Sequence, residues 1–397
     1  MKERQFMGFR RPDGRVGVRN YLAIIPSVFC ANTTVEGIAA QVPGSVPLTH
    51  PVGCAQVGLD LDLTARTLCA MGTHPNVGAV LVVSLGCERF RPEELVEAVR
   101  KSGKPVRSLC IQEEGGTTNT IEKGVRVARD LMALIETQQR EPCSVRDLIV
   151  ATKCGGTDAT SGLAANPVVG NMSDRIVAYG GSVILSELNE LLGTEEMLAR
   201  RAVTPEVAEK VRKAIREIEN MLKHSIDPSL GDNRNQLISP GNFAGGVSSV
   251  VEKALGGVLK SGTSPIVNVL PYATAPQKGE HGLFLMAYES HDGEVVTGEI
   301  GCGAQLVAFT TGRGNPTGHP LAPVLKVTGN AKTYHAMAEN FDFDASPVIS
   351  EGRTIESLGD ALFEQVIAVA EGKATQAEKM GGRELFCIAR RVGYHRP

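Results

Sequence analysis

The chain has 397 residues, of which 42% are apolar and 4% aromatic with no tryptophan, and its formal net charge is −3. Few aromatic residues and no basic block argue against single-stranded nucleic acid or an anionic membrane surface as a partner. No apolar run approaches the roughly 20 residues of a membrane helix, and no signal-type apolar core follows the first charges, so the sequence predicts a cytoplasmic protein.

Strand-like and helix-like patterns alternate along the chain. Runs that are apolar on both faces predict strands covered by helices on both sides. These runs occupy residues 21–30, 77–87, 148–154, 181–187, 265–270 and 305–312. Helical patterns occupy residues 92–102, 120–139 and 204–224, the last with Thr204 as N-cap and Pro205 in the first turn. The sequence therefore predicts an α/β fold, with two α/β domains built on largely parallel sheets.

A polar stretch at 138–144, QQREPCS, is the predicted linker. It divides the chain into an N-terminal α/β domain, 1–142, and a larger C-terminal α/β domain, 143–397. A second stretch, 224–246, carries too many Pro, Gly and Asn residues for a helix, and loops of that length are usually functional or disordered.

Cysteines at glycine-flanked turns are the first candidate ligands. Cys54, Cys87 and Cys154 lie in VGCAQ, SLGCE and TKCGGTD, and His50 precedes Cys54 by four residues. The nine cysteines have no regular spacing, which favours reduced thiols over a disulfide framework. These three thiols could hold zinc or iron with one open position, and the alternative is buried inert thiols. The remaining candidates are predicted to be structural: Cys30, Cys69, Cys110, Cys143 and Cys387.

Acidic residues also follow the predicted strands closely. Glu88, Asp158 and Glu187 are the three. Carboxylates that share one cleft can serve as general acid and general base when their environments separate their pKa values. The alternative is that each caps the helix that follows it. Capping is favoured for Glu88, and both interpretations stay open for Asp158 and Glu187.

Three arginines are candidates for binding a carboxylate, because the guanidinium group can hold it through two hydrogen bonds. Arg15 and Arg19 lie in the glycine-containing segment 8–20, where a solvated basic loop is the favoured alternative, and Arg313 follows a buried run in TTGRGNP. The chain has no GxxxxGK[ST] phosphate loop and no GxSxG motif, and the glycines at 301–306 lack the third glycine of a dinucleotide fingerprint.

Six segments taken together resemble the altronate and galactarate dehydratases, whose relatives include the large subunit of sulfolactate sulfo-lyase. The segments are GFRRPDGRVGVRN, SLGCE, KCGGTDATSGLAANPVVG, GGSVILSE, SPGNFAGG with VEKALG, and FTTGRGNPTG with PVLKV. The resemblance runs from about Gly8 to near Gly372. One loop departs from the family pattern. In the family a GDN-like start runs almost directly into Pro-Ser-Pro-Gly-Asn, whereas here residues 234–238 stand between GDN and SPGN. This difference bears on substrate choice.

The resemblance implies a hydro-lyase that removes water from an altronate-like or galactarate-like sugar acid. The product would be a 2-keto-3-deoxy acid, formed by metal-assisted abstraction of the α-proton. Two alternatives remain: a sulfo-lyase large subunit that releases sulfite from sulfolactate, and a non-catalytic subunit that binds a sugar acid.

The resemblance also implies ferrous iron, either mononuclear or in an iron–sulfur cluster, near Cys54, Cys87, Cys154 and His50. Asp158 and Glu187 are the expected catalytic residues. The expected substrate-binding residues are Arg15, Arg19, Ser161, Asn166, Asn242 and Arg313. Family members use a small antifreeze-like (SAF) domain, but only seven residues precede Gly8. We therefore expect that domain either on a separate small subunit or not at all, and we expect a homo-oligomer.

Overall fold

The computed structural model describes residues 3–223 and 237–390. Within them the strands form a four-stranded and a seven-stranded parallel sheet and a three-stranded antiparallel sheet. This confirms the predicted α/β class with largely parallel sheets. None of the described helices has the length and apolarity needed to cross a membrane.

The first part of the chain builds the four-stranded sheet and the antiparallel sheet. Its elements are β1 (Gln5–Arg10), β2 (Val16–Gly17), β3 (Tyr21–Pro26), α1 (Asn32–Ala39), β4 (Ser45–Pro47), α2 (Gly58–Thr73), β5 (Val77–Ser84), α3 (Pro92–Lys101), β6 (Val106–Cys110), α4 (Thr117–Glu136) and β7 (Glu141–Ser144).

The second part builds the seven-stranded sheet. Its elements as far as β11 are β8 (Ile149–Cys154), α5 (Asn166–Ala178), β9 (Ser182–Leu185), α6 (Glu195–Ala199), α7 (Pro205–Lys223), α8 (Pro240–Ala244), α9 (Val250–Val258), β10 (Ile266–Pro271) and β11 (Leu283–Ala287). The remaining elements are α10 (Asp292–Gly301), β12 (Leu306–Thr310), β13 (Val324–Thr328), α11 (Ala331–Ala336), β14 (Phe343–Asp344), α12 (Pro347–Ser350), α13 (Ile355–Ala370) and α14 (Gln376–Lys379).

Both parallel sheets reverse their strand order at an internal point. The small sheet has the order β4-β3-β5-β6, and the large sheet has the order β10-β11-β9-β8-β12-β13-β14. The reversals therefore lie between β3 and β5 and between β8 and β12. Ligands in open parallel sheets bind outside the carboxyl ends of the strands at such points, so each sheet offers one position for a site.

A single hydrophobic core connects the two sheets. It includes Ile25 of β3, Leu68 of α2, Val296 of α10 and Phe309 of β12, all fully buried. Helices α1 and α4 cover the other face of the small sheet, whereas α5, α7, α9 and α13 cover the other face of the large sheet. The strands are therefore buried on both faces, as their apolar runs predicted.

Two local predictions need correction. Part of the predicted linker forms β7, which pairs antiparallel with β1, and Pro142 is tolerated there because β7 is an edge strand. Residues 240–244 form α8 with Pro240 in its first turn, although the stretch 224–246 was expected to be irregular. Residues 224–236 of that stretch lie outside the described residues. The domain boundary at 142/143 stays a prediction.

We expect Asn76→Ala to destabilise the protein strongly, because Asn76 joins the two parts of the chain. Its fully buried amide accepts from the Val18 N–H at 2.9 Å and donates to the carbonyls of Gln305 at 2.9 Å and Leu321 at 2.8 Å. Three buried backbone groups would lose their partner, which predicts a fall of about 3 kcal/mol or more in the free energy of unfolding. Asn119→Ala, at an exposed position of α4, is the control, and equal urea unfolding curves for both variants would contradict this role.

Candidate active site

A buried ionic cluster lies at the carboxyl ends of β8 and β9. Glu187 follows β9, and its carboxylate accepts from the Lys153 ammonium, from Lys260 Nζ at 2.9 Å and from the Cys154 N–H at 3.0 Å. These four residues are at most 2% exposed. Glu187 also has a φ of 66°, a left-handed conformation that costs a residue with a side chain about 1 kcal/mol or more. Strain of this kind is typical of functional sites.

Further charged groups extend this arrangement. Glu190 lies 2.8 Å from Lys253 Nζ and 3.3 Å from Cys154 Sγ. Asp292, at the start of α10, lies 2.8 Å from Lys153 Nζ, and its side chain is 41% exposed. We call this set the lysine–carboxylate cluster, and it comprises Lys153, Cys154, Glu187, Glu190, Lys253, Lys260 and Asp292. Its lysines and carboxylates are equal in number, as burial of charge requires.

The surroundings lower the pKa of Glu187 and raise the pKa of Cys154. Burial alone would raise the pKa of Glu187, but Lys153 and Lys260 outweigh it and lower the pKa to about 2. Burial, with the Glu187 charge adding to it, raises the pKa of the Cys154 thiol to about 12. Glu187 is therefore ionised and Cys154 is a neutral thiol at pH 7.

Two more buried groups with shifted pKa values lie beside the cluster. Burial lowers the pKa of Lys326 to about 7, and its Nζ lies 4.0 Å from the centre of the Phe309 ring. Lys153 Nζ lies 5.6 Å from the same ring centre. Burial raises the pKa of Glu299 to about 8, and its carboxyl group accepts a hydrogen bond from the Ser186 hydroxyl.

The lysines are the site residues that the sequence interpretation missed. Lys153 lies inside the TKCGGTD motif, at the end of an otherwise apolar run. Because lysine is rarely buried without a charged partner, a lysine in a buried strand indicates a nearby carboxylate. Lys253 lies in VEKALG, which was quoted for the resemblance without a role for its lysine, and Lys260 follows α9 outside the quoted segments.

Several predicted residues turn out to support the loops of the site. The Asp158 carboxylate accepts from Thr160 Oγ1 at 2.6 Å, the Ser161 N–H at 3.1 Å and Asn330 Nδ2 at 2.8 Å, so Asp158 and Ser161 form the start of the following helix. Asn166 accepts from Thr310 Oγ1 at 2.7 Å and donates to the Gly256 carbonyl at 2.9 Å. The capping alternative thus applies to Asp158, whose expected catalytic role we do not retain.

Asn242 does reach the cluster. Its side-chain oxygen accepts from Lys253 Nζ at 2.9 Å, and its amide donates to the Thr157 carbonyl at 3.1 Å. Arg313 is exposed, and its N–H donates to the Gly156 carbonyl at 3.0 Å. A Cβ at Gly241 would lie 3.8 Å from Arg313 Nε, so the SPGN and TTGRGNP loops meet beside the cluster.

Arg15 and Arg19 lie away from this edge. Both precede β3 and lie at the amino ends of the strands, so they cannot share a site with the carboxyl ends of the same sheet. Arg19 binds the Glu378 carboxylate and three backbone carbonyls, and Arg15 binds the Asp13 carboxylate and the Thr73 carbonyl. These structural partners occupy both guanidinium groups and keep them away from the lysine–carboxylate cluster, and the role of Arg15 and Arg19 in substrate binding stays a prediction.

The four predicted iron ligands do not form one site. Cys154 belongs to the large sheet, whereas Cys54, Cys87 and His50 lie at the carboxyl edge of the small sheet. No three of these four described residues bring ligand atoms within 4.8 Å of one another. His50 contacts the Pro26 carbonyl through Nε2 at 2.8 Å and accepts from the Val52 N–H through Nδ1 at 3.3 Å. Both of its ring nitrogens are therefore occupied.

Two other groups of described residues do bring three ligand atoms within 4.8 Å: Cys154 with Glu187 and Glu190, and His291 with Glu294 and Cys387. In the first group three lysines already neutralise the carboxylates, so an added divalent cation would meet positive charge. In the second group Glu294 accepts from the Tyr288 hydroxyl at 2.6 Å. The first group is unsuited to iron.

Family models match most of the chain. The model described as D-galactarate dehydratase/altronate hydrolase, second domain, matches residues 8–136, and the model described as D-galactarate/altronate dehydratase, C-terminal, matches residues 145–392. The chain therefore belongs to the galactarate and altronate dehydratase family, which confirms the resemblance and the prediction of a lyase of the dehydratase class.

Named relatives cover nearly all of the chain. It is 37% identical to the (2R)-sulfolactate sulfo-lyase subunit beta of Chromohalobacter salexigens, over 98% of each chain. It is 35% identical to the altronate dehydratase of Bacillus subtilis, over 97% of this chain and 77% of that one. It is 34% identical to the galactarate dehydratase of Escherichia coli, over 93% of this chain and 73% of that one.

Proposed function

We propose that the chain catalyses β-elimination from a 2-hydroxy acid, with water leaving from a sugar acid of the altronate or galactarate type. The α-proton on C2 and the hydroxyl on C3 depart as water, and the resulting enol tautomerises to a 2-keto-3-deoxy acid. The observation that carries the proposal is the lysine–carboxylate cluster, with its strained Glu187, beside the strand-order reversal of the large sheet.

The lysines suit the charge that develops in such a reaction. Loss of the α-proton places negative charge on the substrate carboxylate, and fixed ammonium groups in a water-poor site stabilise it strongly. Asp292 reaches Lys153 from the solvent side, since its side chain is 41% exposed. We propose that the substrate carboxylate replaces Asp292 at Lys153 and that Arg313 binds the other end of the substrate. Glu187 holds Lys153 and Lys260 in place, because a carboxylate with a pKa of about 2 is too weak a base to take the proton.

Lys326 is our candidate for the base. Its pKa is lowered to about 7 by burial, so near neutral pH a large share of the amine is unprotonated and can accept the α-proton. We expect kcat/KM to rise with pH through about 7 and then level off, since only the neutral amine is active. Lys326→Arg, which stays protonated, should lose this activity while its folding, followed by circular dichroism, is kept. An unchanged pH profile in that variant would remove Lys326 from the mechanism.

Iron and a partner chain complete the proposal. The exposed Cys54 and Cys87, at the carboxyl edge of the small sheet, would hold the iron, which would supply Lewis acidity when bound. A relative matched over 98% of both chains is named as a subunit beta, which supports a partner chain for this protein. Phe29, Val57 and Leu59 are exposed by 47%, 62% and 75% near the cysteine loops and are suited to contact with that partner.

The sulfo-lyase alternative is retained because the sulfolactate relative matches over 98% of its length. We would assay the purified protein anaerobically with altronate, galactarate and sulfolactate, with and without the partner, and measure 2-keto acid and sulfite separately. We expect 2-keto acid without sulfite from a sugar acid. Sulfite from sulfolactate would establish the alternative, and tight binding without any turnover would establish a non-catalytic subunit.

A further inference from the structure

A second group of metal-binding side chains lies at the start of α10. His291, Glu294 and Cys387 each bring one ligand atom to within 4.8 Å of the other two. They offer an imidazole nitrogen, a carboxylate oxygen and a sulfur, the three donor types that zinc binds in proteins. His291 is exposed and the other two residues are half-buried, so an ion can enter from solvent. Cys387, expected to be a structural thiol, belongs to this group.

The first turn of α10 places two of the ligands next to each other. His291 directly precedes the helix, and its carbonyl accepts from the Val295 N–H at 2.8 Å, which joins it to the first turn. Glu294 lies three residues after His291, and residues three apart are neighbours on a helix surface. The Glu294 carbonyl accepts from the Tyr272 hydroxyl at 2.6 Å. The backbone that carries both ligands is therefore anchored.

The third ligand comes from a segment near the end of the described chain. The Cys387 N–H donates to Thr297 Oγ1 at 2.9 Å, and the Thr297 hydroxyl donates to the Leu385 carbonyl at 2.8 Å. Gly293 permits this approach, because an added Cβ there would lie 2.8 Å from the Cys387 Cβ. Thr297 and Gly293 belong to α10, so the segment that carries Cys387 is held against this helix by the protein alone.

The charge of the group suits a cation. Among the residues that the structure describes, no lysine or arginine forms a salt bridge with Glu294, whereas three lysines neutralise Glu187 and Glu190 in the lysine–carboxylate cluster. The Glu294 carboxylate accepts from the Tyr288 hydroxyl at 2.6 Å, which fixes its orientation. Hydrogen-bond partners of this kind position metal-binding carboxylates and raise the affinity for the metal.

The spacing and the donor types together favour zinc. Zinc binds nitrogen and oxygen at about 2.1 Å and sulfur at about 2.3 Å, so two ligands of one tetrahedral ion lie about 3.5 Å apart. Ligand atoms within 4.8 Å of one another reach this spacing through small side-chain rotations. Magnesium and calcium prefer sites made of oxygen alone, whereas an imidazole and a thiol select zinc over these ions.

We propose that His291, Glu294 and Cys387 bind a zinc ion, with water as the fourth ligand, and that the ion fastens the segment around Cys387 to α10. The site is distinct from the lysine–carboxylate cluster, although Asp292 of the same turn contacts Lys153 at 2.8 Å. It does not depend on the proposed reaction, because the mutual distances of its own ligand atoms define it.

Protection of individual thiols tests the site directly. The full chain is freed of metal, kept reduced and anaerobic, and treated with iodoacetamide at a series of buffered free zinc concentrations. Mass spectrometry of its peptides then gives the alkylation of each cysteine. We expect zinc to protect Cys387 and to raise the unfolding temperature of the protein. Cys69 and Cys110, two other half-buried thiols, should react equally with and without zinc.

Variants of the other ligands keep Cys387 as the reporter. His291→Ala and Glu294→Gln should each raise the zinc concentration for half protection by about 100-fold or more. Tyr288→Phe removes only the hydrogen bond to Glu294 and should raise it by about 10-fold. His335→Ala, at an exposed position of α11, is the matched control and should change nothing. Circular dichroism establishes that each variant is folded.

Three results would overturn the zinc site. They are reaction of Cys387 that is unaffected by saturating zinc, equal protection in His291→Ala and wild type, and protection confined to Cys54 and Cys87. None of these measurements uses turnover, so failure of the proposed elimination is distinguishable from failure of the zinc site.

Discussion

Replacing Lys153 by methionine is expected to lower kcat/KM by about 100-fold or more. Lys153 brings a fully buried ammonium to the carboxyl end of β8, where it is shared by Glu187 and Asp292. Removing one preorganised group that stabilises developing negative charge typically costs two to three orders of magnitude. The methionine side chain has similar length, so packing changes little.

Controls separate this catalytic role from a structural one. Lys101→Met alters a lysine that is 75% exposed and lies 3.8 Å from Glu97, and it should leave turnover unchanged. The single variant leaves Glu187 with one lysine fewer, so it should also lose stability. The double variant Lys153→Met, Glu187→Gln also removes the carboxylate that pairs with the buried Lys260 ammonium, so it should regain neither stability nor activity. A folded single variant with nearly full turnover would contradict the role of Lys153.

Glu299→Gln is expected to stabilise the protein at neutral and alkaline pH. Glu299 lies in α10 with a fully buried side chain, and its Oε2 has no hydrogen-bond partner among the residues described. Burial raises its pKa from 4.5 to about 8, and the nearby Glu187 charge raises it further. Between these pH values the folded protein keeps a proton that the unfolded chain has lost, so its stability falls as the pH rises.

The amide variant carries no such proton and should lose that pH dependence. Relative to wild type, its free energy of unfolding should be similar below pH 4.5 and higher by up to about 4 to 5 kcal/mol above pH 8. Urea unfolding of both proteins at a series of pH values measures the difference between their free energies of unfolding. Lys326 and Glu187 are present in both proteins, so their contributions cancel in that difference. Parallel curves for the two proteins would mean that Glu299 is ionised in the folded state.

Much of the fold follows from periodicity alone. The six apolar runs mark β3, β5, β8, β9, β10 and β12, because parallel strands buried on both faces need continuous apolar sequence. Helix α7 begins where Thr204 and Pro205 predicted, with the Thr204 hydroxyl accepting from the Val207 N–H at 3.3 Å. Short strands such as β2 and β14, of two residues each, were missed because pairing with a neighbour defines them and local pattern does not.

The site was only partly predictable, since its partners are distant in sequence. Motifs found the loops after β8 and β12, and Glu187 and Asn242 do lie at the cluster. They did not find Lys260, which reaches Glu187 across 73 residues. Cys30 was taken for a structural thiol because cysteine is usually buried, and only the folded loops expose it. The contact between Arg19 and Glu378 was missed because the two residues lie 359 positions apart.

Product analysis in deuterium oxide distinguishes α-proton removal followed by loss of the C3 substituent from other routes. The iron-reconstituted protein and its partner chain would be incubated with altronate, galactarate or sulfolactate, and the products examined by nuclear magnetic resonance. We expect a 2-keto-3-deoxy acid from a sugar acid, carrying one deuterium at C3 from tautomerisation of the enol. A 2-keto acid without deuterium at C3, or no product from any of the three acids, would contradict the proposed elimination.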